Sequence, residues 1–126
     1  MTRTASWADA QKQCGSMEAT LANLETEEEI VWMHGYRSYH NEYQKYLWIG
    51  GHKENNKWYW VSGSDKVPMS IADWGNHQPD NARGKQDCVM LFGRKSSNKD
   101  HFRFDDNTCT SKFNFVCEKF AAESQL

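Results

Sequence analysis

The sequence predicts an α+β domain in which two helices precede short antiparallel sheets and one long, polar loop. Three observations predict it. Two helix-capping boxes stand near the start, aromatic and β-branched runs begin at Tyr46, and a turn-rich stretch holds both prolines. At 126 residues, the chain fits one domain (1–126, with a core of about 6–119) able to bury a modest core.

Ser6 followed by Asp9 opens a helix over about 7–15. Trp7, Ala10 and Cys14 share one face of it, which aims the cysteine at the core. Thr26 and Glu29 form the second capping box. Glu27, Glu28 and Glu29 then sit in the first turn, where negative charge suits the helix dipole, and Ile30, Trp32, Met33 and Tyr36 supply the apolar side. Residues 46–50 and 57–61 read as strands bounded by Gly, Asn and Ser. Residues 62–85 form a long loop ending in Asn76, Pro79, Asp80 and Asn81, and loops of that length in small domains usually carry function. Residues 87–92, 102–106 and 113–118 are the closing strands, and 121–126 a frayed tail. Trp48, Trp58, Trp60 and Trp74 are expected in the core or packed beneath the loop, Trp74 supporting it from below.

Bulk properties exclude several functions. A net charge of −2 lacks the basic stripe of a nucleic-acid binder. The longest apolar runs, such as 30–33 and 89–92, are too short to cross a bilayer, and residues 1–6 lack a signal peptide's apolar run. A secreted protein with this start would have had its signal removed. Neither a nucleophile elbow, nor a His-Glu-x-x-His helix, nor a phosphate-cradling glycine loop is present, so binding is expected and enzyme activity is not. The four cysteines (Cys14, Cys88, Cys109 and Cys117) include no Cys-x-x-Cys pair and do not suit a zinc site. Two disulfides in an oxidising, extracellular compartment fit better, with three pairings open.

The chemistry concentrates late in the chain. Gln78-Pro79-Asp80, Gln86-Asp87-Cys88 and Asp105-Asp106-Asn107 gather carboxylates and side-chain amides beside two cysteines. Oxygen donors of mixed charge are what calcium prefers, and amides beside carboxylates can also hold a pair of sugar hydroxyls. The bland alternatives are a solvated polar loop and a domain of this kind that binds protein without calcium.

These residues resemble those of the C-type lectin domain family, over about 7–119. Leu47-Trp48-Ile49-Gly50-Gly51 is similar to the family's Trp-Ile-Gly-Leu strand, and Gln78-Pro79-Asp80 to its sugar-specificity tripeptide. Gln86-Asp87-Cys88-Val89 resembles Glu-Asp-Cys-Val, Phe104-Asp105-Asp106 stands for Trp-Asn-Asp, and Phe115-Val116-Cys117-Glu118 matches the closing strand. The resemblance implies a double-loop fold, disulfides Cys14–Cys117 and Cys88–Cys109, and a cis peptide before Pro79. It implies calcium and sugar ligation by Gln78, Asp80, Gln86, Asp105 and Asp106, the last through both its side chain and its main-chain carbonyl.

Two of these positions depart from the family pattern. The usual glutamate is Gln86 and the usual asparagine Asp105, changes that cancel in charge and leave three carboxylates around one ion. Asn81 and Gln86 stand where carboxylates often hold an auxiliary calcium, so one ion is expected. Gln-Pro-Asp lectins usually take galactose and Glu-Pro-Asn lectins mannose. Here the second pair is inverted too, which restores the mannose-type relative arrangement with every role reversed. Asn81-Ala82-Arg83-Gly84 also offers no ring to stack on galactose. The expected ligand is therefore a mannose-type glycan, with galactose or N-acetylgalactosamine as the alternative, in an innate-immune setting. Weak affinity for a single sugar implies a homo-oligomer, most simply a dimer.

The remaining polar residues read more plainly. His34, His40 and His52 are scattered surface residues, whereas His77 and His101 flank the proposed site. Arg83, Lys85, Arg94, Lys95 and Lys99 form a solvated rim that could favour anionic glycans.

Overall fold

The computed structural model describes residues 4–39, 46–75, 78–81, 84–95 and 100–119, with the side chains of 37–39, 93–95 and 100–102 also outside the description. Helix α1 (Trp7–Gly15) begins as the capping box requires: the Ser6 hydroxyl accepts the Asp9 N–H at 3.3 Å. Ala10 and Cys14 are fully buried, and Trp7 packs partly buried beside them. The short strand β1 (Thr20–Leu21) leads to helix α2 (Glu27–Tyr39). Its capping box is reciprocal, Thr26 N–H donating to Glu29 Oε1 and Glu29 N–H to Thr26 Oγ1, each at 3.1 Å.

Six strands form the main sheet. Its order is β4 (Asp65–Pro68), β3 (Lys57–Ser62), β2 (Tyr46–Glu54), β5 (Cys88–Lys95) and β6 (Asp100–Asn107), all antiparallel, while β7 (Asn114–Phe115) pairs with β2 in parallel. The small second sheet pairs β1 with β8 (Cys117–Glu118), joining the two ends of the chain. The Cys14–Cys117 disulfide locks that junction, and Cys88–Cys109 closes the far end of β5 and β6, so the implied pairing is the one present.

Strands β2 and β5 are apolar at successive positions because both their faces are covered. Leu47, Ile49, Val89 and Leu91 enter a core with Ile30, Met33, Trp60 and Phe104. The alternate residues Trp48, Cys88 and Met90 enter a second core with Ala10, Cys14 and Leu21. Trp48 Nε1 is satisfied by the carbonyls of Ala5 and Ser111, at 3.0 and 3.2 Å. Gly50 is required by close approach: its N–H donates to Ala22 O at 2.8 Å, and a Cβ there would overlap the Asn23 carboxamide.

Four sequence expectations are corrected. Trp32 and Tyr36 do not join Ile30 and Met33 in the core; they lie exposed and stack on each other. The stretch after Ser62 is not all loop, because Asp65–Pro68 adds an edge strand to β3. The closing segment divides between two sheets at Val116, whose N–H bonds Trp48 O while its carbonyl accepts Ala22 N–H. Strand β1 was not foreseen, two residues being too few to show a period. The tail, with His40, His77, Arg83 and Lys99, lies outside the described residues, as do the side chains of Arg94, Lys95 and His101.

Candidate calcium and sugar site

The site is built where the long loop is laced onto strand β6. Trp74 bridges Phe104, with Phe104 N–H donating to Asp73 O at 2.8 Å and Gly75 N–H to Phe104 O at 2.9 Å. Beneath the loop, the Trp74 ring packs against Trp58 with centroids 5.0 Å apart and edge-on against Phe104, so it does support the loop from below. Gln78 N–H then turns back onto Gly75 O, and the Gln78–Pro79 peptide is cis.

Asp106 clamps the other side of that turn. Its carboxylate accepts the Asp80 N–H at 3.2 Å and the Asn81 N–H at 2.7 Å. Only 4% of Asp106 is exposed, and burial pushes its carboxyl above the usual carboxylate range, partly offset by those two backbone donors. Asn81, at φ +48°, extends the linkage: its Oδ1 accepts Gln86 N–H at 2.9 Å, and its carbonyl accepts Gly84 N–H at 2.8 Å. Gly84 and Lys85, both at positive φ, complete the return toward β5.

Asp105 sits on the opposite flank, next to Gln78. A Cβ placed on Gly75 would lie 3.3 Å from Asp105 Oδ1 and 3.7 Å from Gln78 Cγ, so both side chains border the same small space. Register pairs Met90 with Asp105 and Val89 with Asp106, and the Cys88–Cys109 disulfide ties the strands just beyond. The five expected ligand residues thus fall into two linked groups. Gln78 and Asp105 meet at Gly75, while the Asp80 N–H bonds Asp106 directly and the Gln86 N–H reaches it through Asn81.

Two features fit a hard cation. The side-chain oxygens Gln78 Oε1 and Gln86 Oε1 are buried without a hydrogen-bond partner. An orphaned buried amide oxygen costs free energy on the order of 1–3 kcal/mol, unless an ion or a ligand hydroxyl satisfies it. The neighbouring segments also carry the carboxylates of Asp80, Asp105 and Asp106, so the side chains on offer are all oxygen donors of mixed charge, the kind that calcium prefers. A different cluster, His52 with Cys88 and Cys109, is no metal site, because both sulfurs are consumed in the disulfide.

Sequence reasoning missed two positioning residues. Asn81 carried a weak signal, since asparagine tolerates positive φ in tight turns. Gly75 carried almost none: its role comes from the approach of Asp105 and Arg103, on a strand about 30 residues away.

The family model described as the Lectin C-type domain matches residues 3–119. Rat (Rattus norvegicus) P-selectin is 28% identical over 116 residues; the match covers 92% of this chain but 14% of that protein, so the chain spans about a seventh of its length. Salivary C-type lectin 2 of the mosquito Aedes albopictus is 30% identical over 118 residues, covering 91% of this chain and 78% of that one. Among solved structures, the carbohydrate-recognition domain of the mouse scavenger receptor C-type lectin superposes with a TM-score of 0.74 at 25% identity, covering 93% of this chain and 84% of that one. The domain match across nearly the whole chain, the two disulfides and the loop laced onto β6 agree: the chain belongs to the C-type lectin domain family, whose members are non-enzymatic carbohydrate-binding domains.

Proposed function

We propose that this domain binds glycans through one calcium ion held by Gln78, Asp80, Gln86, Asp105 and Asp106. The observation that carries the reading is that the amide oxygens of Gln78 and Gln86 are both buried without a hydrogen-bond partner. When bound, the ion would supply direct coordination of two neighbouring sugar hydroxyls. The protein's own part is hydrogen bonding: Asp80 and Asp105 accept from those hydroxyls, and the Gln78 and Gln86 amides donate to them. Asp106 keeps the turn in place beneath them through the Asp80 and Asn81 N–H groups.

The preferred sugar in this reading is of the mannose type, with two equatorial vicinal hydroxyls. The inversion of both ligand pairs supports it, against the galactose choice that Gln78-Pro79-Asp80 alone would favour. The two disulfides support a secreted protein, and recognition of microbial glycans in innate immunity is the setting we infer. Because one shallow site binds weakly, useful affinity comes from linked copies.

Retention on immobilised mannose and on immobilised galactose, each with calcium and then with EDTA, tests the reading. Mannose retention released by EDTA is the expected result. Galactose retention would mean that the tripeptide decides the sugar. Failure to bind either in a calcium-dependent way would favour a protein-binding domain of the same fold.

A further inference from the structure

Beyond the contacts at Gly75 and Asn81, a third link joins the segment that carries Gln86 to the loop that carries Gln78. Lys53, near the end of β2, donates its N–H to Asp87 O at 2.8 Å, and its Nζ lies 3.5 Å from Asp87 Oδ1. Asp87 directly follows Gln86, so one lysine grips that segment by backbone and side chain together. Lys53 stands opposite Trp58 in the β2–β3 register, and its Nζ sits over the Trp58 ring, 5.5 Å from the centroid. That is within cation–π range. Trp58 in turn packs against Trp74 with centroids 5.0 Å apart, and Trp74 roots the loop on Phe104 just before Gln78. The Lys53 side chain is 18% exposed against 43% for Asp87, so the cation is the more sheltered partner.

We propose that Lys53 is a positioning residue for the calcium and sugar site. It holds the Gln86 segment and the Gln78 loop in one arrangement, through Asp87 on one side and the Trp58–Trp74 pair on the other. Its role rests on the calcium reading of the site. The aliphatic stem lets one side chain span both partners, and shelter from water leaves the ion pair less screened than an open surface pair. Charge alone makes the opposite prediction. A nearby cation repels calcium and a nearby carboxylate attracts it, so removing the Lys53 charge would tighten calcium binding and removing the Asp87 charge would weaken it. Positioning gives another pattern. Either removal breaks the same link, so both weaken binding, and the second adds little to the first.

Calcium titration by calorimetry tests the proposal on the intact chain, on Lys53→Met, Asp87→Asn and their double variant, and on Lys53→Arg. Lys53→Met keeps an aliphatic stem and removes the charge. Each single variant that loses a charge should weaken calcium binding about fivefold. The double variant should lose little more, rather than the roughly 25-fold of two independent effects. Lys53→Arg, which keeps the cation, should restore most of the affinity. Calcium bound more tightly by Lys53→Met, or independent losses in the double variant, overturns the proposal. A melting temperature in EDTA that falls while calcium affinity holds would make Lys53 a structural residue only, and overturns it too. If the wild type binds no calcium, the ligand reading itself fails, and hydrogen exchange in EDTA then tests Lys53 on its own. The Gln86 N–H, held by Asn81 Oδ1, and the Gly75 N–H, held by Phe104 O, should both exchange faster in Lys53→Met than in the wild type. Unchanged exchange at either position overturns the inference.

Discussion

The Asp106 carboxylate holds the Asn81 backbone N–H at 2.7 Å, from a strand 25 residues further along the chain. With the Asp80 N–H on its other oxygen, one buried side chain sets the turn that presents Asp80. The clamp is made by protein atoms alone.

Asp106→Asn is therefore expected to weaken the fold even in EDTA. The amide would aim a donor at one of two backbone donors, at a cost of about 2 kcal/mol for a lost charged hydrogen bond. Urea unfolding of both proteins in EDTA measures this. An unchanged midpoint would mean that Asp106 acts on the ion alone.

Gly75→Ala should separate site geometry from fold stability. The new methyl group would lie 3.3 Å from Asp105 Oδ1 and 3.4 Å from Arg103 Cβ, tight enough to displace the Asp105 carboxylate. Small overpacking of this kind costs about 1 kcal/mol, or roughly a fivefold loss of calcium affinity if the strain falls on the ligand. Calcium titration by calorimetry reads the affinity, with a thermal melt in EDTA expected to change much less.

Glu118 makes stability depend on pH in the less usual direction. Burial raises its carboxyl above the ordinary range, the Asn23 N–H at 2.9 Å opposes this, and Glu29 and Glu25 add to the rise. The folded protein then holds a proton that the unfolded chain releases, so this group's contribution falls as pH rises from the ordinary glutamate range through the raised value. Glu118→Gln keeps the acceptor and removes the charge. It should melt a few degrees higher at neutral pH and lose this part of the pH dependence. Melting curves of both proteins from acid to neutral pH decide it, and a Gln variant less stable at neutral pH would reverse the sign.

The two disulfides should differ in worth. Cys14–Cys117 spans 103 positions and Cys88–Cys109 spans 21. Chain entropy assigns about 4.7 kcal/mol to a loop near 100 residues and about 3 kcal/mol to one near 15. Double serine variants, compared by denaturant unfolding, should rank in that order. Losing Cys88–Cys109 should also cost calcium binding disproportionately, because it ties the strand after Gln86 to the strand that carries Asp105 and Asp106.

Much of this protein is local and was therefore legible. Ser6 with Asp9, and Thr26 with Glu29, are caps written within four residues, and both helices start where those pairs stand. The runs at 46–50 and 57–61 are strands because their side chains suit a pleated, buried surface. The oxygen-bearing residues around Pro79 stood out by type, and the family resemblance marked five of them as the proposed ligands. Trp32 and Tyr36 misled for a stated reason: period tells which residues share a helix face, not which face receives a neighbour.

By itself, then, the sequence determined the element types, the family, the four cysteines and the five oxygen-bearing positions, all of which follow from short-range pattern or from motif order. Only the tertiary structure decided that Asp106 clamps Asn81, that Gly75 must lack a side chain beside Asp105, and that one aromatic pair of α2 stays outside. Each of these depends on groups brought together across distant stretches of chain. Such meetings are set by how whole faces pack, and no local spacing encodes them.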